Sequence, residues 1–175
     1  TIGDTMQAAI GQSDSVFTPL QLAEYCAAIA NGGERHSASI LKSVRSFDYS
    51  DNIYERKNEV LSKIDSEQYN WDAIHEGMYL VANAPNGSGY AAFRDYTAST
   101  VACKTGTAQK GESVSNDGIF ICYAPYENPQ IAIAIVIERG GAGANCAPIA
   151  REILEAYFSL KSATDITETE GDLLK

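Results

Sequence analysis

Positive charge is what the 175-residue chain lacks most: 13 Lys and Arg stand against 23 Asp and Glu, a formal net charge of −10. The basic residues Arg45, Arg56, Lys57, Arg94 and Arg139 are scattered and form no patch. An electrostatic, counterion-releasing grip on a phosphate backbone is therefore excluded, and no nucleic-acid partner is expected. No apolar run approaches the roughly eighteen residues that a membrane helix needs. The four cysteines, Cys26, Cys103, Cys122 and Cys146, include no Cys-x-x-Cys pair and no histidine at zinc-ligand spacing, so they read as buried free thiols rather than metal ligands. There are only two histidines, His36 and His75. Each reads as a packed or surface residue, not as a ligand or base. Neither a cofactor nor a metal is expected. The chain opens on Thr1 with no basic and apolar leader, and so reads as an excised segment without an export signal of its own.

The composition present, 45% hydrophobic with 21% charged residues, is that of an ordinary globular domain with one core. In "SVFTPLQLAEYCAAIANGGE" the punctuation predicts a helix over 19–30: Thr18 as N-cap, Pro19 at the first position, Gln21 three after the cap, and Asn31-Gly32-Gly33 at the exit. Leu22, Cys26 and Ile29 give it one buried face. Residues 38–47 lean towards a strand, and 48–65 read as irregular or an edge hairpin. A second helix is predicted over 67–83, with Trp71, Ile74, Met78, Val81 and Ala82 as its stripe. "GSGYAAFRDY" reads as a loop with one turn of helix.

Three strands follow, at 98–109, 117–124 and 130–138, the last two joined by "APYENP". "QIAIAIVIE" places Ile131, Ile133, Ile135 and Ile137 on one face and Ala132, Ala134 and Val136 on the other. A strand apolar on both faces lies between two layers, and its alanine face admits a closely packed helix. The last helix, from 146 or 147 to 160, is expected to bury Ile149, Ile153, Leu154, Tyr157 and Phe158. Beyond it, 161–175 reads as an acidic, flexible tail, leaving 1–160 as the domain. The fold class is α+β, an antiparallel sheet covered by helices on both faces. "RGGAGAN" lacks both G-x-G-x-x-G and a following Lys-Ser/Thr, so it reads as a strand-to-helix turn.

"TVACKTGTAQKG", residues 100–111, carries the candidate chemistry. Alternation puts Thr105 and Thr107 on one face, with hydroxyls about 7 Å apart that can hold a carboxylate or a peptide carbonyl. Lys104 adds a cation on a long stem, and Gly106 lets a substrate backbone come close. At a sheet edge an extended peptide could add to this strand, with the Thr107 N–H as an oxyanion-hole donor. None of these groups is a nucleophile activated by a base. A tripeptide alone is a weak signal, since composition produces it by chance.

Lys-Thr-Gly has two companion strings in serine acyl-transferases, Ser-x-x-Lys and Ser-Asp-Asn. Both occur here, as Ser39–Lys42 and Ser50–Asn52. Neither fits. Ser-x-x-Lys requires a helical turn to stack amine over hydroxyl, whereas a strand puts the two on opposite faces about 10 Å apart. Seven residues between Lys42 and Ser50 cannot build the layer that separates two walls of a cleft.

Three stretches together, "AIGQSDSVFTPLQLAEYCAAIANGG", "CKTGTAQ" and "GIFICYAPYENPQIAIAIVIERGGAGANCAPIAREILEAYF", resemble the C-terminal part of the transpeptidase domain of class B penicillin-binding proteins of the penicillin-binding protein 2 type. The resemblance implies a five-stranded, largely antiparallel sheet in a membrane-anchored enzyme on the extracytoplasmic face of a bacterium. It implies cross-linking of peptidoglycan stem peptides through a serine acyl-enzyme, and reaction with β-lactams. By the same resemblance Lys104, Thr105, Gly106 and Thr107 form the third motif, and the nucleophilic Ser with its Lys lies upstream, outside this chain. Partners would be the D-Ala-D-Ala stem peptide, β-lactams, the upstream half of its own domain and a glycosyltransferase. Two departures stand out. Ser13 occupies a place where relatives usually have Gly, and the link from Lys110 to Asp117 is too short for a long loop over the cleft. Two other readings stay open at this point: a serine β-lactamase, with Glu112 or Asp117 as deacylating base, or a non-catalytic β-lactam sensor or scaffold.

Overall fold

The computed structural model describes residues 2–12, 16–111 and 113–172, and side chains as far as Ser162. The expected departure at Ser13 and the candidate base Glu112 lie outside the described residues. Helix α1, Ile2–Ala9, has no counterpart in the expectations above; all its residues are exposed. It ends on Gly11 at φ 78°, where the N–H of Gln12 donates to the Gln7 carbonyl at 2.9 Å. This C-cap fixes where Gln12 sits.

Helix α2, Pro19–Ala30, begins on the predicted capping box, with the Thr18 hydroxyl accepting from the Gln21 N–H at 3.2 Å and the Gln21 side chain accepting from the Thr18 N–H at 2.8 Å. Gly33 follows at φ 106°, and a Cβ there would stand 2.7 Å from the Trp71 ring. The glycine is required on both counts.

From Gly33 the chain runs out and back as a nested arm. Strand β1, Glu34–His36, pairs with β4, Val60–Lys63, and β2, Ser43–Arg45, pairs with β3, Asn52–Glu55. The single strand expected over 38–47 is thus broken. Ser39 takes the Leu41 N–H at 3.0 Å on its own hydroxyl, a local bond that competes with a ladder. The arm keeps its large side chains outside: Ile40, Phe47 and Ile53 are exposed.

The main sheet holds three antiparallel strands in the order β5-β6-β7: Ala102–Ala108, Asp117–Ala124 and Ile131–Ile137. Pairing is regular, from Ala102 opposite Tyr123 to Ala108 opposite Asp117. Helices cover both faces, as the apolar-on-both-sides pattern of β7 requires. On one face α2 and α3, Gln68–Asn83, bury Cys26, Ile29 and Met78 against Ala102, Ile121 and Tyr123, with Ala132 and Ala134 beneath. His75 is packed there, with Nε2 2.7 Å from the Ile29 carbonyl oxygen. His36 lies on β1, its Nε2 3.7 Å from Glu34. On the other face α4, Tyr90–Phe93, a 3-10 turn, Gly143–Cys146, and α5, Ala147–Asp172, cover Cys103, Phe120, Cys122 and Ile133.

Helix α5 differs from expectation in two ways. Its buried stripe is Ala147, Ala150 and Leu154, with Phe158 partly buried, whereas Ile149 and Ile153 are 44% and 42% exposed. The isoleucine row of β7 already fills this layer, so alanines let the helix approach. The helix also continues to Asp172, past the expected end at 160. All four cysteines are free and buried, and burial pushes the thiols of Cys26 and Cys103 up to about 12. They behave as small apolar side chains.

Two substitutions test this packing by urea unfolding. Leu154→Ala, which empties a site with no exposure, is expected to cost about 3 kcal/mol. Gly77→Ala, in the middle of α3 where a Cβ would meet nothing within 4 Å, is expected to stabilise by about 0.5–1 kcal/mol.

Candidate active site

Strand β5 is an edge strand of the described sheet, paired only with β6. Asn83 fixes its start, donating to the Val101 carbonyl at 2.9 Å from the end of α3. At its far end Gln12 acts as a short substitute for a neighbouring strand. Its Nε2 donates to the Thr107 carbonyl at 2.9 Å, and its Oε1 accepts from the Gln109 N–H at 3.3 Å. The Thr107 carbonyl therefore faces outward, and the alternation of an antiparallel ladder turns the N–H and C=O of Cys103, Thr105 and Thr107 to the open edge. Lys104, Gly106 and Ala108 pair inward with β6.

The same alternation sorts the side chains. Cys103 packs under α5, so Thr105 and Thr107 stand on that face, as expected, and Lys104 is rooted on the α2 face with Ala102. The Lys104 stem bridges the difference: its exposed ammonium reaches the outer edge and donates to the Thr105 carbonyl. The Thr105 Oγ1 lies 2.8 Å from the Ser88 Oγ. The Thr107 Oγ1 accepts from the Gly143 N–H at 3.3 Å, which leaves its own proton free to donate.

Two glycines differ in how far packing requires them. At Gly143 a Cβ would stand 2.2 Å from the Gly106 carbonyl oxygen and 2.4 Å from that of Ile119, so the 3-10 turn lies directly on the sheet backbone. At Gly106 the atoms nearest to a Cβ belong to Ile119, the first at 3.4 Å. Packing leaves room for a Cβ there, so the fold's own contacts do not require glycine at this position.

Beyond β5 the strand ends are clasped by one carboxylate. Asp117 accepts from the Arg139 N–H at 2.8 Å and pairs with Lys110 at 2.7 Å. The Lys110 ammonium, followed by the Arg139 N–H, holds the Asp117 carboxyl below the usual carboxylate range. A carboxylate so engaged is a poor proton acceptor, which counts against Asp117 as a deacylating base.

The two chance strings sit on the arm. Ser39 is in the irregular link between β1 and β2, outside any helix, and its hydroxyl bonds to Leu41. Ser50 bonds to Asp48 at 2.9 Å in the tip turn. An apolar hollow of 510 Å³ lies between α2 and the base of the arm, against Phe17, Tyr25 and Ile64, and includes none of the Lys-Thr-Gly residues. No group of three or more potential metal ligands occurs among the described residues. Reading the residues alone gave no part to Ser88 or Gln12. The signal for Ser88 was its pair of flanking glycines, which mark a turn pressed against other backbone.

Residues 2–155 match the family described as the penicillin binding protein transpeptidase domain. The peptidoglycan D,D-transpeptidase MrdA of Haemophilus influenzae is 33% identical over 175 residues, an overlap of 90% of this chain and 26% of that protein. Among solved structures, penicillin-binding protein 2B of Streptococcus pneumoniae superposes with a TM-score of 0.79 at 29% identity, over 91% of this chain and 27% of that one. Penicillin-binding protein A of M. tuberculosis, solved as an imipenem acyl-enzyme complex, superposes with a TM-score of 0.71 at 31% identity, over 85% and 32%. The chain spans about a quarter of the length of the curated relatives it matches.

The Asp117 clasp has a pH signature. Its folded pKa is depressed, so its contribution to stability is present above the unfolded carboxylate pKa and is lost as pH falls through the folded value. An NMR titration of the Asp117 side-chain carboxyl is expected to show a midpoint below that of an ordinary aspartate. Lys110→Ala is expected to move that midpoint back up.

Proposed function

The chain belongs to the penicillin-binding protein transpeptidase-domain family, and on that premise we propose that it forms the Lys-Thr-Gly wall of a peptidoglycan D,D-transpeptidase. The observation that carries this reading is the open edge of β5, which aligns outward N–H groups, that of Thr107 among them, with two hydroxyls and an ammonium along a single strand. A stem peptide ending in D-Ala-D-Ala adds to that edge as an extended strand. Thr105 and Thr107 donate to its terminal carboxylate, and Lys104 supplies positive charge beside it.

The rest of the site comes from the upstream half of the same domain. A serine there, kept reactive by its own lysine, attacks the carbonyl of the penultimate D-Ala. The oxyanion that forms is met by the Thr107 N–H, a contribution of a few kcal/mol for such a donor. The peptide C–N bond then breaks, D-Ala leaves with the transferred proton, and the amine of a neighbouring stem peptide attacks the ester and frees the serine. A β-lactam presents the same carboxylate and a strained amide to the same edge, and acylates the same serine.

No helix among the described residues is long and apolar enough to cross a membrane. The family reading gives the protein an upstream membrane helix as its anchor on the extracytoplasmic face. A glycosyltransferase that extends the glycan strand is the natural partner in the same reaction sequence. The segment by itself is inactive on this reading, because the nucleophilic serine and its lysine belong to the upstream half.

A fluorescent penicillin is expected to label the full-length protein covalently and to leave the isolated segment unlabelled. Ser39→Ala and Ser50→Ala in the full-length protein are expected to leave labelling unchanged. Loss of labelling in either variant would overturn the assignment of the nucleophile to upstream chain. Rapid hydrolysis and release of the label would favour a β-lactamase, and labelling without cross-linking activity a sensor.

A further inference from the structure

The turn Gly87-Ser88-Gly89 is wedged between the end of α3 and the back of β5. A Cβ at Gly87 would stand 2.3 Å from the Val81 carbonyl oxygen, and one at Gly89 would stand 2.8 Å from the Cys103 Sγ. Backbone bonds hold the turn from the same side, with Gly87 N–H donating to Ala84 at 2.8 Å and Gly89 N–H donating to Val81 at 3.0 Å. Only residues without a side chain permit this contact, so the turn has little freedom. Its middle residue is thereby fixed with an exposed hydroxyl 2.8 Å from the Thr105 Oγ1.

The fold gains little from that bond. Two exposed hydroxyls exchange partners with water at small net benefit, and Ser88 belongs to neither apolar cluster of the core. The consequence lies in the direction of a proton. A hydroxyl has one proton to donate and two lone pairs to accept with. An anion on the open edge of β5 can use only the proton.

We propose that Ser88 is a positioning residue for the carboxylate end of the ligand: its hydroxyl donates to Thr105, restrains the Thr105 rotor, and leaves the Thr105 proton aimed at the open edge. The donated bond also polarises the Thr105 O–H and strengthens the bond that this group makes in turn. The inference rests on the acyl-transfer reading above and adds a residue to its recognition of the carboxylate. Gly87 and Gly89 supply the rigidity, Ser88 the direction, and Thr105 the contact.

The test compares a penicillin bearing its free carboxylate with the methyl ester of the same penicillin, as second-order acylation rates of the full-length protein. Ser88→Ala is expected to slow reaction with the carboxylate form about tenfold, the scale of one hydrogen bond to a charged group. The ester rate is expected to change by less than about twofold, since its carboxyl is uncharged. Ser88→Thr restores the rate, and in a Thr105→Val background Ser88→Ala has no further effect. Thermal midpoints of all variants are measured alongside, to register any loss of folded protein. Equal slowing of both ligands, an unchanged rate in Ser88→Ala, or an effect that persists without the Thr105 hydroxyl overturns the inference. A wild-type protein that reacts with neither ligand overturns the acyl-transfer reading itself, and this inference with it.

Discussion

The outer edge of β5, unpaired with any strand among the described residues, is the constraint on which the rest of the structure depends. An exposed row of N–H and C=O groups is ordinarily a hazard, because any other strand can pair with it. Here the row is kept short and specific. Gln12 closes it at Thr107 and Gln109, and the Lys104 ammonium covers the Thr105 carbonyl. What remains open is the segment that carries the two threonine hydroxyls and the Thr107 N–H.

Holding that edge in place requires a rigid support behind it, and the core supplies one from small side chains. Alanine and cysteine line much of both faces of the sheet: Cys103, Cys122, Cys146, Ala147 and Ala150 on the α5 side, Cys26, Ala102, Ala132 and Ala134 on the α2 side. Small residues bring helix and sheet backbones close, and dense packing of this kind resists displacement. The glycines serve the same end more sharply. Gly143 lies on the carbonyls of Gly106 and Ile119, and Gly89 lies on the sulfur of Cys103. The site is thus pressed from behind and open in front. The 510 Å³ apolar hollow lies elsewhere, beside α2.

Local signals in the chain announced their elements with different fidelity. The Thr18 to Gln21 capping box and the Asn-Gly-Gly exit set α2 at its observed bounds, because caps act through groups a few residues apart. The double-sided apolar pattern of β7 foretold helices on both faces for the same reason of proximity. The arm was legible only in part. Its strands are three or four residues long and pair β1 with β4 and β2 with β3, partners as far as 29 residues apart between Glu34 and Lys63. Short strands with exposed side chains carry no periodicity to read. In α5 the helix was evident from its spacing, but the choice of Ala147, Ala150 and Leu154 over Ile149 and Ile153 was not. That choice depends on what already fills the facing layer.

For the site, the chain by itself determined which groups are available: Lys104, Thr105, Gly106 and Thr107 in a strand-forming context, with period-two alternation dividing the hydroxyls from the ammonium. It determined equally that Ser39 lacks the helical turn its chemistry needs, and that Ser50 follows Lys42 too closely to stand on a second wall. Only the tertiary structure decided that β5 is an edge strand, that Gln12 closes one end of it, and that Ser88 and Gly143 bring their polar groups to the two threonines across 17 and 36 residues of chain. The physical reason is that hydrogen-bond donors and strand edges are defined by what does, or does not, occupy the adjacent space, and that space is filled by residues remote in the chain.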